Sequence, residues 1–242
     1  MKIFIVIAAY NEEKSIKKVL SNFKKLKKYI IKDKNNNIIN TEYNIVIVDD
    51  GSRDKTYESA KNFSKELNLT VLKHIINRGQ GAALKTGIDY ALNKNADIII
   101  TFDADGQHRI EDIPQMIKPI INRECEVTLG SRFLKKTNMP LFRKITLKTA
   151  ILVMWIFYGV KMTDAHNGFR AFSREAAKKI NITSDRMEHA SEIIEEIKRK
   201  KIEYKEIPVT ILYTDYSLKK GHGGLRQALK VLFRMLFRKM IN

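Results

Sequence analysis

Cysteine is almost absent from this chain. The 242 residues include one cysteine, Cys125, which lies in an apolar segment. A lone cysteine excludes a framework of intramolecular disulfides and fits a protein of a reducing compartment. We therefore expect a cytoplasmic protein with one full hydrophobic core, which a chain of this length can form.

Long uncharged apolar runs are also lacking. The N-terminus, MKIFIVIAAYNEE, has about seven apolar residues before Asn and two Glu, too few for a signal peptide, and it predicts a first strand instead. The most apolar stretch is 145–160, where Lys148 and Lys161 bracket about a dozen uncharged residues, fewer than the roughly 20 that span a bilayer. We expect a buried or interfacial helix there.

Acidic residues are few relative to basic ones. The chain has 45 Lys and Arg against 27 Asp and Glu, a formal net charge of +18. This surplus predicts an anionic partner, such as nucleotide phosphates, a phospholipid leaflet or nucleic acid. Because no recognisable nucleic-acid module occurs, we expect no nucleic-acid partner, and a non-enzymatic protein that binds nucleic acid or membrane stays an alternative.

Short β-branched apolar runs alternate with helical patterns. The predicted strands are 3–9, 43–48, 69–76, 96–101 and 125–130, and the predicted helices are 12–29, 54–67, 80–93 and 111–121. The alternation predicts an α/β fold with a parallel sheet buried on both faces. An Asn-rich loop is expected at 32–42, and a short strand pair at about 202–213.

Polar clusters follow the first four predicted strands, at 8–12, 49–52, 78–81 and 103–108. Parallel strands deliver such clusters to one rim, where α/β sheets bind ligands. A single cluster would be ordinary turn chemistry, but four on one edge indicate a nucleotide-diphosphate site.

The stretch TFDADGQHR carries the strongest signal. Asp103 and Asp105 would repel each other unless a cation lay between them, which predicts a divalent metal bridging phosphate oxygens. The turn at Gly79 could bring backbone N–H groups to the anion, and Asp50 could accept a hydrogen bond from a base.

The segments YNEE, VDDGSRDKT, RGQGAALKTG, DADGQH, GSRF and TDAHNGFRAF occur in this order, and the resemblance that they carry covers about residues 2–215. They resemble the family 2 glycosyltransferases, in particular the subgroup of dolichol-phosphate mannose synthase and polyprenyl-phosphate or polysaccharide glycosyltransferases. The resemblance implies a GT-A fold, with a Rossmann-like, mostly parallel central sheet flanked by helices. It also implies inverting sugar transfer from a UDP- or GDP-sugar, assisted by Mg²⁺ or Mn²⁺.

The resemblance further implies roles for single residues. Gly79 is added to them because its turn could bring backbone N–H groups to the anion. The predicted donor-binding residues are Ala8, Tyr10, Glu12, Asp50, Gly79, Asp103 and Arg132. The predicted metal ligands are Asp103, Asp105 and Gln107, and the predicted acceptor-binding residues are Arg143 and Arg170. The predicted catalytic residues are Asp164, Glu188 and His189. Four positions depart from the family: Ala8 stands where Pro is common, Asn167 where Ser is frequent, His189 where Asp usually follows Glu, and His222 where Gln often follows Gly.

His189 leaves two chemistries open. Attack by a sugar hydroxyl needs a general base, which a near-neutral His oriented by Glu188 or Asp164 could supply. Attack by a lipid phosphate needs no base, because the oxygen is already anionic. Alternatively, Glu188 and His189 only open a helix at 188–200.

The C-terminal stretch is basic and amphipathic. Arg226, Lys230, Arg234 and Arg238 recur every four residues beside an apolar face, which predicts a helix that anchors on an anionic membrane. Its apolar face could instead dock on the catalytic domain or on a second subunit in a homodimer. We assign 1–215 to the catalytic domain and 216–242 to a basic loop and this helix.

The sequence thus predicts a peripheral glycosyltransferase on the cytoplasmic face of the membrane. Its acceptor would be a polyprenyl phosphate or a lipid-linked or cell-surface glycan, as in polysaccharide biosynthesis. A sugar nucleotidyltransferase is the alternative enzyme. Such an enzyme is expected to have a Gly-rich segment with Arg after the first strand, where this chain has AAYNEE.

Overall fold

The computed structural model describes residues 1–26, 29–135, 151, 155, 162–164 and 167–212. The strands of this part are β1 (Lys2–Ala9), β2 (Ile31–Lys32), β3 (Ile38–Ile39), β4 (Glu42–Asp49), β5 (Leu69–Lys73), β6 (Ile98–Thr101), β7 (Val127–Ser131), β8 (Arg170–Ser173) and β9 (Tyr204–Pro208). The α-helices are α1 (Glu13–Phe23), α2 (Thr56–Lys61), α3 (Gln80–Asn93), α4 (Ile113–Ile121), α5 (Arg174–Lys179) and α6 (His189–Arg199). Short 3₁₀ turns lie at Asn62–Lys65 and Ile110–Asp112.

Seven of these strands form one mostly parallel sheet in the order β5-β4-β1-β6-β8-β7-β9. β1 lies inside it, with Ile5 paired to Ile45 of β4 and to Ile100 of β6. Its side chains alternate between two cores, because successive residues of a strand point to opposite faces. Ile5 packs in the core with α1 and α4, and Val6 packs in the core with α3 and α6. The predicted α/β class with a doubly covered sheet is confirmed.

Several predicted boundaries were wrong. β5 ends at Lys73 rather than at residue 76, and the helix predicted at 12–29 ends at Phe23. The segment predicted as a loop at 32–42 contains the antiparallel pair β2 and β3. The Asp33 carboxylate accepts the N–H groups of Asn35 and Asn37, so its side chain builds the tight turn of this hairpin.

The strand pair predicted at about 202–213 was also wrong. β9 pairs in parallel with β7 instead of turning back on itself. A single antiparallel bridge joins Ile211 to His108, far back in the sequence. The chain therefore returns from β9 to the loop that follows β6.

β8 is a further strand that the sequence did not predict, and it positions the site. Arg170–Ser173, within the GFRAF segment, runs antiparallel to both β6 and β7. An antiparallel strand begins at the rim where its parallel neighbours end. Arg170 is accordingly paired with Thr101, the last residue of β6. Two strands that end at the rim and one that starts there bring Asp103, Arg132 and Arg170 together.

The predicted C-terminal helix, Arg143 and most of the apolar stretch 145–160 lie outside the described residues. No helix in the part of the chain that the structure describes is long and apolar enough to cross a membrane.

Candidate active site

Asp103 follows β6 and is held by partners on both carboxylate oxygens. His108 Nε2 donates to Oδ2 at 2.8 Å, and the Gln80 side-chain amide donates to Oδ1 at 3.3 Å. The His108 ring is buried between Phe102 and Phe169, with ring centroids 5.2 and 5.1 Å away. Burial, the largest single influence, would by itself raise the pKa of Asp103. The charge and hydrogen bond of His108, with smaller contributions from His189 and Arg132, together hold this pKa below its ordinary value. Asp103 is therefore a fixed, ionised carboxylate.

Asp105 lies in the opposite electrostatic situation. Burial, and after it the negative charge of Asp103, raises the pKa of Asp105 to about 6. Gln107 donates its backbone N–H to Asp105 Oδ1 at 2.9 Å and its side-chain amide to Oδ2 at 2.7 Å. These bonds orient the carboxylate but bring no positive charge. Direct metal ligation by Gln107 stays a prediction.

The two aspartates fit a hard divalent cation. Carboxylate oxygens are the ligands that Mg²⁺ and Mn²⁺ prefer, and a cation would relieve the repulsion that raises the pKa of Asp105. Among the described residues, no group of three or more His, Cys, Asp or Glu side chains is placed to hold a metal ion. An ion between Asp103 and Asp105 would therefore take further oxygen ligands from a bound phosphate or water.

Arg132 and Asp164 form a buried ion pair next to this site. Arg132 donates from Nε at 2.6 Å and from its backbone N–H at 3.1 Å, both to Asp164 Oδ2. Asp164 is held in turn by Glu206 of β9, whose carboxylate accepts the backbone N–H groups of Thr163 and Asp164 at 2.8 and 3.2 Å. Asp164 thus orients the Arg132 guanidinium. A catalytic role for Asp164 stays a prediction.

Arg170 is a second buried cation, with 3% of its surface exposed. Its Nε donates to the Asn167 carbonyl and its Nη2 to the Ala190 carbonyl, each at 3.1 Å. Burial lowers the pKa of Arg170 to about 10, although the charges of Asp103 and Asp164 act in the other direction. Arg170 therefore keeps its positive charge at neutral pH and presents it beside the aspartates.

His189 begins α6 and is 5% exposed. Its Nδ1 lies 2.7 Å from the Arg186 carbonyl. Since a carbonyl only accepts, Nδ1 carries the hydrogen and the lone pair is on Nε2. Burial and then the charge of Arg170 lower the pKa of His189 to about 4. His189 is therefore a neutral imidazole at pH 7 and a weak base.

Glu188 immediately precedes α6, so the helix predicted at 188–200 is confirmed to within one residue at each end. Its suggested part in orienting His189 stays a prediction.

On the β4 side of the rim, Asp50 is fully engaged by the protein. Its Oδ1 accepts from His74 Nδ1 at 2.7 Å and from the Arg78 N–H at 3.0 Å, and its Oδ2 accepts from the Gly79 N–H at 2.6 Å. Asp50 therefore fixes the loop between β5 and α3. The Gly79 N–H group and the Asp50 carboxylate already bond to each other. Contacts of either residue with a sugar donor stay predictions.

The glycines of the RGQG turn have a packing role. A Cβ on Gly81 would lie 2.0 Å from the Ser184 carbonyl oxygen, and one on Gly79 would lie 2.4 Å from the Asp185 carbonyl oxygen. The turn therefore packs directly on the segment before His189. Glu192 of α6 holds that segment by accepting the Ser184 N–H at 2.8 Å.

The remaining predicted donor residues line the end of β1. Ala8 is paired with Val48, Tyr10 is 38% exposed, and Glu12 is buried with its N–H donated to Thr56 Oγ1 at 2.8 Å. The strand order reverses between β1 and β6, and α/β sheets bind ligands in the crevice at such a point. Glu12 is on the Asp105 side of this crevice, because its charge contributes to the raised pKa of Asp105.

The predicted site residues do not include those that position the site. They are His74, Gln80, His108, Gly168 and Glu206. His108 and Gln80 stood inside the quoted motifs and could have been found there. A Cβ on Gly168 would lie 2.6 Å from Asp103 Oδ1, and neither this contact nor that of Glu206 leaves a signal in the local sequence.

The mostly parallel sheet, the covering helices and the carboxylate pair at the rim define the GT-A glycosyltransferase class. The model of glycosyl transferase family 2 matches residues 4–181. The chain belongs to this family and is a glycosyltransferase. The alternatives of a nucleotidyltransferase and a non-enzymatic binding protein give way to this assignment.

Two relatives align with nearly the whole chain. One is a UDP-N-acetylglucosamine–dolichyl-phosphate N-acetylglucosaminyltransferase of Methanococcus voltae, 36% identical over 98% of this chain and 96% of that protein. The other is a dolichyl-phosphate beta-glucosyltransferase of Trichomonas vaginalis, 31% identical over 98% of this chain and 73% of that protein.

The fold likeness extends to solved structures. Glucosyl-3-phosphoglycerate synthase from Mycobacterium tuberculosis, crystallised with Mn²⁺ and UDP-glucose, superposes with a TM-score of 0.66 at 15% identity. The match covers 96% of this chain and 78% of that one. At this identity the likeness establishes the shared fold.

Proposed function

We propose that this glycosyltransferase moves a sugar from a nucleotide-diphosphate sugar to a polyprenyl phosphate, with a divalent metal and with inversion at the anomeric carbon. The observation that carries the proposal is the arrangement of charge at the rim. Two aspartates, Asp103 and Asp105, lie beside two buried arginines, Arg132 and Arg170. The names of the two relatives, both transferases to dolichyl phosphate, agree with a lipid-phosphate acceptor.

The aspartates form the donor end of this arrangement. Asp103 and Asp105 would hold Mg²⁺ or Mn²⁺, which when bound neutralises charge on the departing diphosphate. His108 and Gln80 keep Asp103 in place, and Gln107 does the same for Asp105. Because these supports are present within the chain, the carboxylates need little rearrangement to bind the donor.

The arginines favour an anionic acceptor over a hydroxyl. A general base works best with a pKa near the operating pH, whereas the pKa of His189 is lowered to about 4. A phosphate oxygen is already anionic and needs no base, and Arg170 presents a buried positive charge to it. His189 would then accept a hydrogen bond on Nε2 rather than remove a proton.

The proposed reaction is a single displacement. An acceptor phosphate oxygen attacks the anomeric carbon from the face opposite the nucleoside diphosphate, and the bond from that carbon to the diphosphate oxygen breaks. The electron pair leaves with the diphosphate, and no proton is transferred. Arg170 holds the acceptor phosphate in line with the sugar, and Arg132, oriented by Asp164, stays a predicted donor-binding residue.

The test is a transfer assay with the purified chain. UDP- and GDP-sugars are combined with a short-chain isoprenyl phosphate in Mn²⁺, in Mg²⁺ or in EDTA, and products are identified by mass spectrometry. We expect one donor to give an isoprenyl-phosphate sugar in metal and none in EDTA, with an inverted anomer by NMR. Transfer only to glycan hydroxyls, or undiminished transfer in EDTA, would contradict the proposal.

A variant pair sharpens this assay. Asp105→Asn should remove transfer, whereas Asp89→Asn, which only breaks a surface pair with Lys85 on α3, should leave it unchanged. Equal activities of the two variants would remove Asp105 from the donor site.

We also propose that residues 1–215 form the catalytic domain and that residues 216–242 hold the enzyme on the cytoplasmic face of the membrane. The net charge of +18 supports contact with anionic lipid. Deletion of 223–242 should strongly weaken flotation with anionic liposomes while transfer to the short-chain acceptor persists. If flotation persists, sedimentation will show whether the segment instead joins two subunits.

A further inference from the structure

Two adjacent isoleucines project from the rim into solvent. Ile75 is 99% exposed and Ile76 is 67% exposed, in the loop between β5 and α3. We call residues 74–79 the isoleucine loop. Scattered surface isoleucines need no explanation, but an adjacent apolar pair at the tip of a loop is an unusual way to expose such side chains.

The exposure does not come from a loosely held loop. The Asp50 carboxylate accepts from His74 at the start of the loop and from the Arg78 and Gly79 N–H groups at its end. The His74 N–H also donates to the Asp49 carbonyl at 2.8 Å. Gly51 supports the middle, because a Cβ there would lie 2.6 Å from the Ile76 carbonyl carbon. The fold therefore holds both isoleucines outward.

The loop lies close to the donor site. Gln80, the residue after the loop, reaches Asp103 with its side-chain amide at 3.3 Å. A chain of four residues spans at most about 14 Å, so the Ile76 backbone is within that distance of the Gln80 backbone. Any surface on which the isoleucines rest would border the crevice in which we place the reaction.

Cations flank the isoleucines. Lys73 precedes the loop and Arg78 lies in it, both exposed, and exposed Arg53 is on the neighbouring DDGS turn. Lys73 Nζ also lies 4.9 Å from the Tyr57 ring centroid. Arg78 pairs at 3.3 Å with exposed Asp185, and buried Asp50 also contacts this loop. An apolar tip with basic neighbours matches the interface of an anionic bilayer, where isoleucine enters the acyl boundary and the cations meet lipid phosphates.

We propose that the isoleucine loop is a membrane contact, inserting Ile75 and Ile76 into an anionic leaflet beside the active site. The choice of a bilayer as the partner rests on the proposed lipid-phosphate acceptor. The contact is separate from the C-terminal segment, and it would orient the crevice towards an acceptor phosphate at the membrane surface. A second copy of the chain and another protein are the competing occupants, and the experiments below separate them.

Insertion can be read directly with a probe. Ile75→Cys in the full-length chain, labelled with an environment-sensitive fluorophore, is mixed with vesicles of phosphatidylcholine and phosphatidylglycerol. The fluorescence should shift to the blue and be quenched by lipids that carry a quencher in the acyl region. Asn93→Cys, exposed at the far end of α3, is the matched control and should not respond. Cys125 is 5% exposed and burial raises its pKa to about 11, so the labelled wild-type chain corrects for it.

The contribution of the two isoleucines to membrane affinity is measured by partitioning of the protein onto vesicles. Ile75→Ser with Ile76→Ser should weaken binding to the anionic vesicles about tenfold, given the apolar area that two isoleucines bury. The control is Ile30→Ser with Ile38→Ser, which removes two other isoleucines, 68% and 69% exposed, next to the β2–β3 hairpin. This control should bind like wild type. Thermal denaturation should match in all three proteins, since none of the four side chains is buried.

The outcomes separate this proposal from the proposed function. Transfer to a water-soluble short-chain isoprenyl phosphate should be unchanged in Ile75→Ser with Ile76→Ser, whereas transfer to a long-chain acceptor in vesicles should fall. Vesicle binding and probe insertion read the loop even if no isoprenyl phosphate is an acceptor. An unshifted Ile75 probe, or equal losses in the two double variants, would overturn the membrane contact. So would a dimer in sedimentation that the loop variant dissolves.

Discussion

Asp50, just after β4, and Asp105, just after β6, belong to acidic pairs that look alike in the sequence. The protein saturates Asp50, whose two oxygens accept two backbone N–H groups and the His74 ring. Asp105 is buried with only the Gln107 amides as hydrogen-bond partners among the described residues. This burial, and after it the charge of Asp103, raises the pKa of Asp105 to about 6. The first carboxylate stabilises a loop, and the second is poised for a cation. The partners of a strand-end carboxylate thus decide whether it serves the fold or the chemistry.

The largest expected effect is on activity and follows substitution of Asp105. Asp105→Asn should lower kcat/KM by about a thousandfold or more, because the metal loses a charged ligand at the leaving diphosphate. Its thermal midpoint without metal should equal or exceed that of wild type, since repulsion from Asp103 is removed. Initial rates with the donor found above, together with a melting curve, check both parts. If Asp105→Asn kept the wild-type rate, Asp105 would not serve the chemistry, and the proposed difference from Asp50 would be wrong.

The same Asp→Asn substitution at Asp50 should lower the stability of the fold. Asp50→Asn turns amide hydrogens towards backbone N–H groups, so we expect the free energy of unfolding to fall by about 2–3 kcal/mol. Urea denaturation of Asp50→Asn beside Asp105→Asn measures the difference with identical chemistry at the two positions. Similar denaturation midpoints for the two variants would show that the loop does not depend on Asp50.

His189 allows the contrast to be extended to pH. Its pKa is about 4 in the folded chain and about 6.5 when unfolded. Between these values the unfolded chain binds more protons, so stability rises with pH up to about 6.5 and is lost as pH falls towards 4. We expect about 2 kcal/mol less stability at pH 5 than at pH 7 from this group.

His189→Asn should flatten that acid limb in denaturation curves recorded from pH 5 to pH 7. Its transfer rate to an isoprenyl phosphate should keep the wild-type pH profile near neutrality. If wild type showed an acid limb near pH 7, with a rate that rises with pH, and His189→Asn lost it, His189 would instead be a general base.

The smallest expected effect is metal stabilisation. Mn²⁺ at about ten times its Kd should raise the free energy of unfolding by about 1.4 kcal/mol. Because a proton on Asp105 competes with the metal, the stabilisation at fixed Mn²⁺ should shrink below pH 6. Thermal shifts of wild type, Asp105→Asn and Asp50→Asn measure it, and Asp105→Asn alone should show none. A full shift in Asp105→Asn would place the metal elsewhere.

Much of the fold could be read from the sequence because the signal is local. The β-branched runs of β1, β4 and β6 and the pattern of α3 predicted their elements, and the bounds of α3 were correct. β5 was predicted too long because Ile75 and Ile76 continue its apolar run, although the structure exposes both. A run of apolar residues does not tell whether its side chains are covered.

The site was only partly readable for the same reason. The rim clusters and the Asp103 and Asp105 pair were visible, since parallel strands bring their ends to one edge. The neighbourhood of Arg170 depends on β8, which enters the sheet antiparallel from far along the chain. The support from Glu206 likewise joins residues with no shared local pattern.

The sequence alone determined the α/β class, the edge of the sheet that carries the polar clusters, and the excess of positive charge. These follow from side-chain periodicity and composition, which need no knowledge of distant contacts. The tertiary structure decided that Asp50 is saturated, that Asp105 resists ionisation, that His189 is neutral, and that Ile75 and Ile76 face solvent. Each of these depends on which groups are buried or on contacts between distant parts of the chain, and both exist only once the chain has folded.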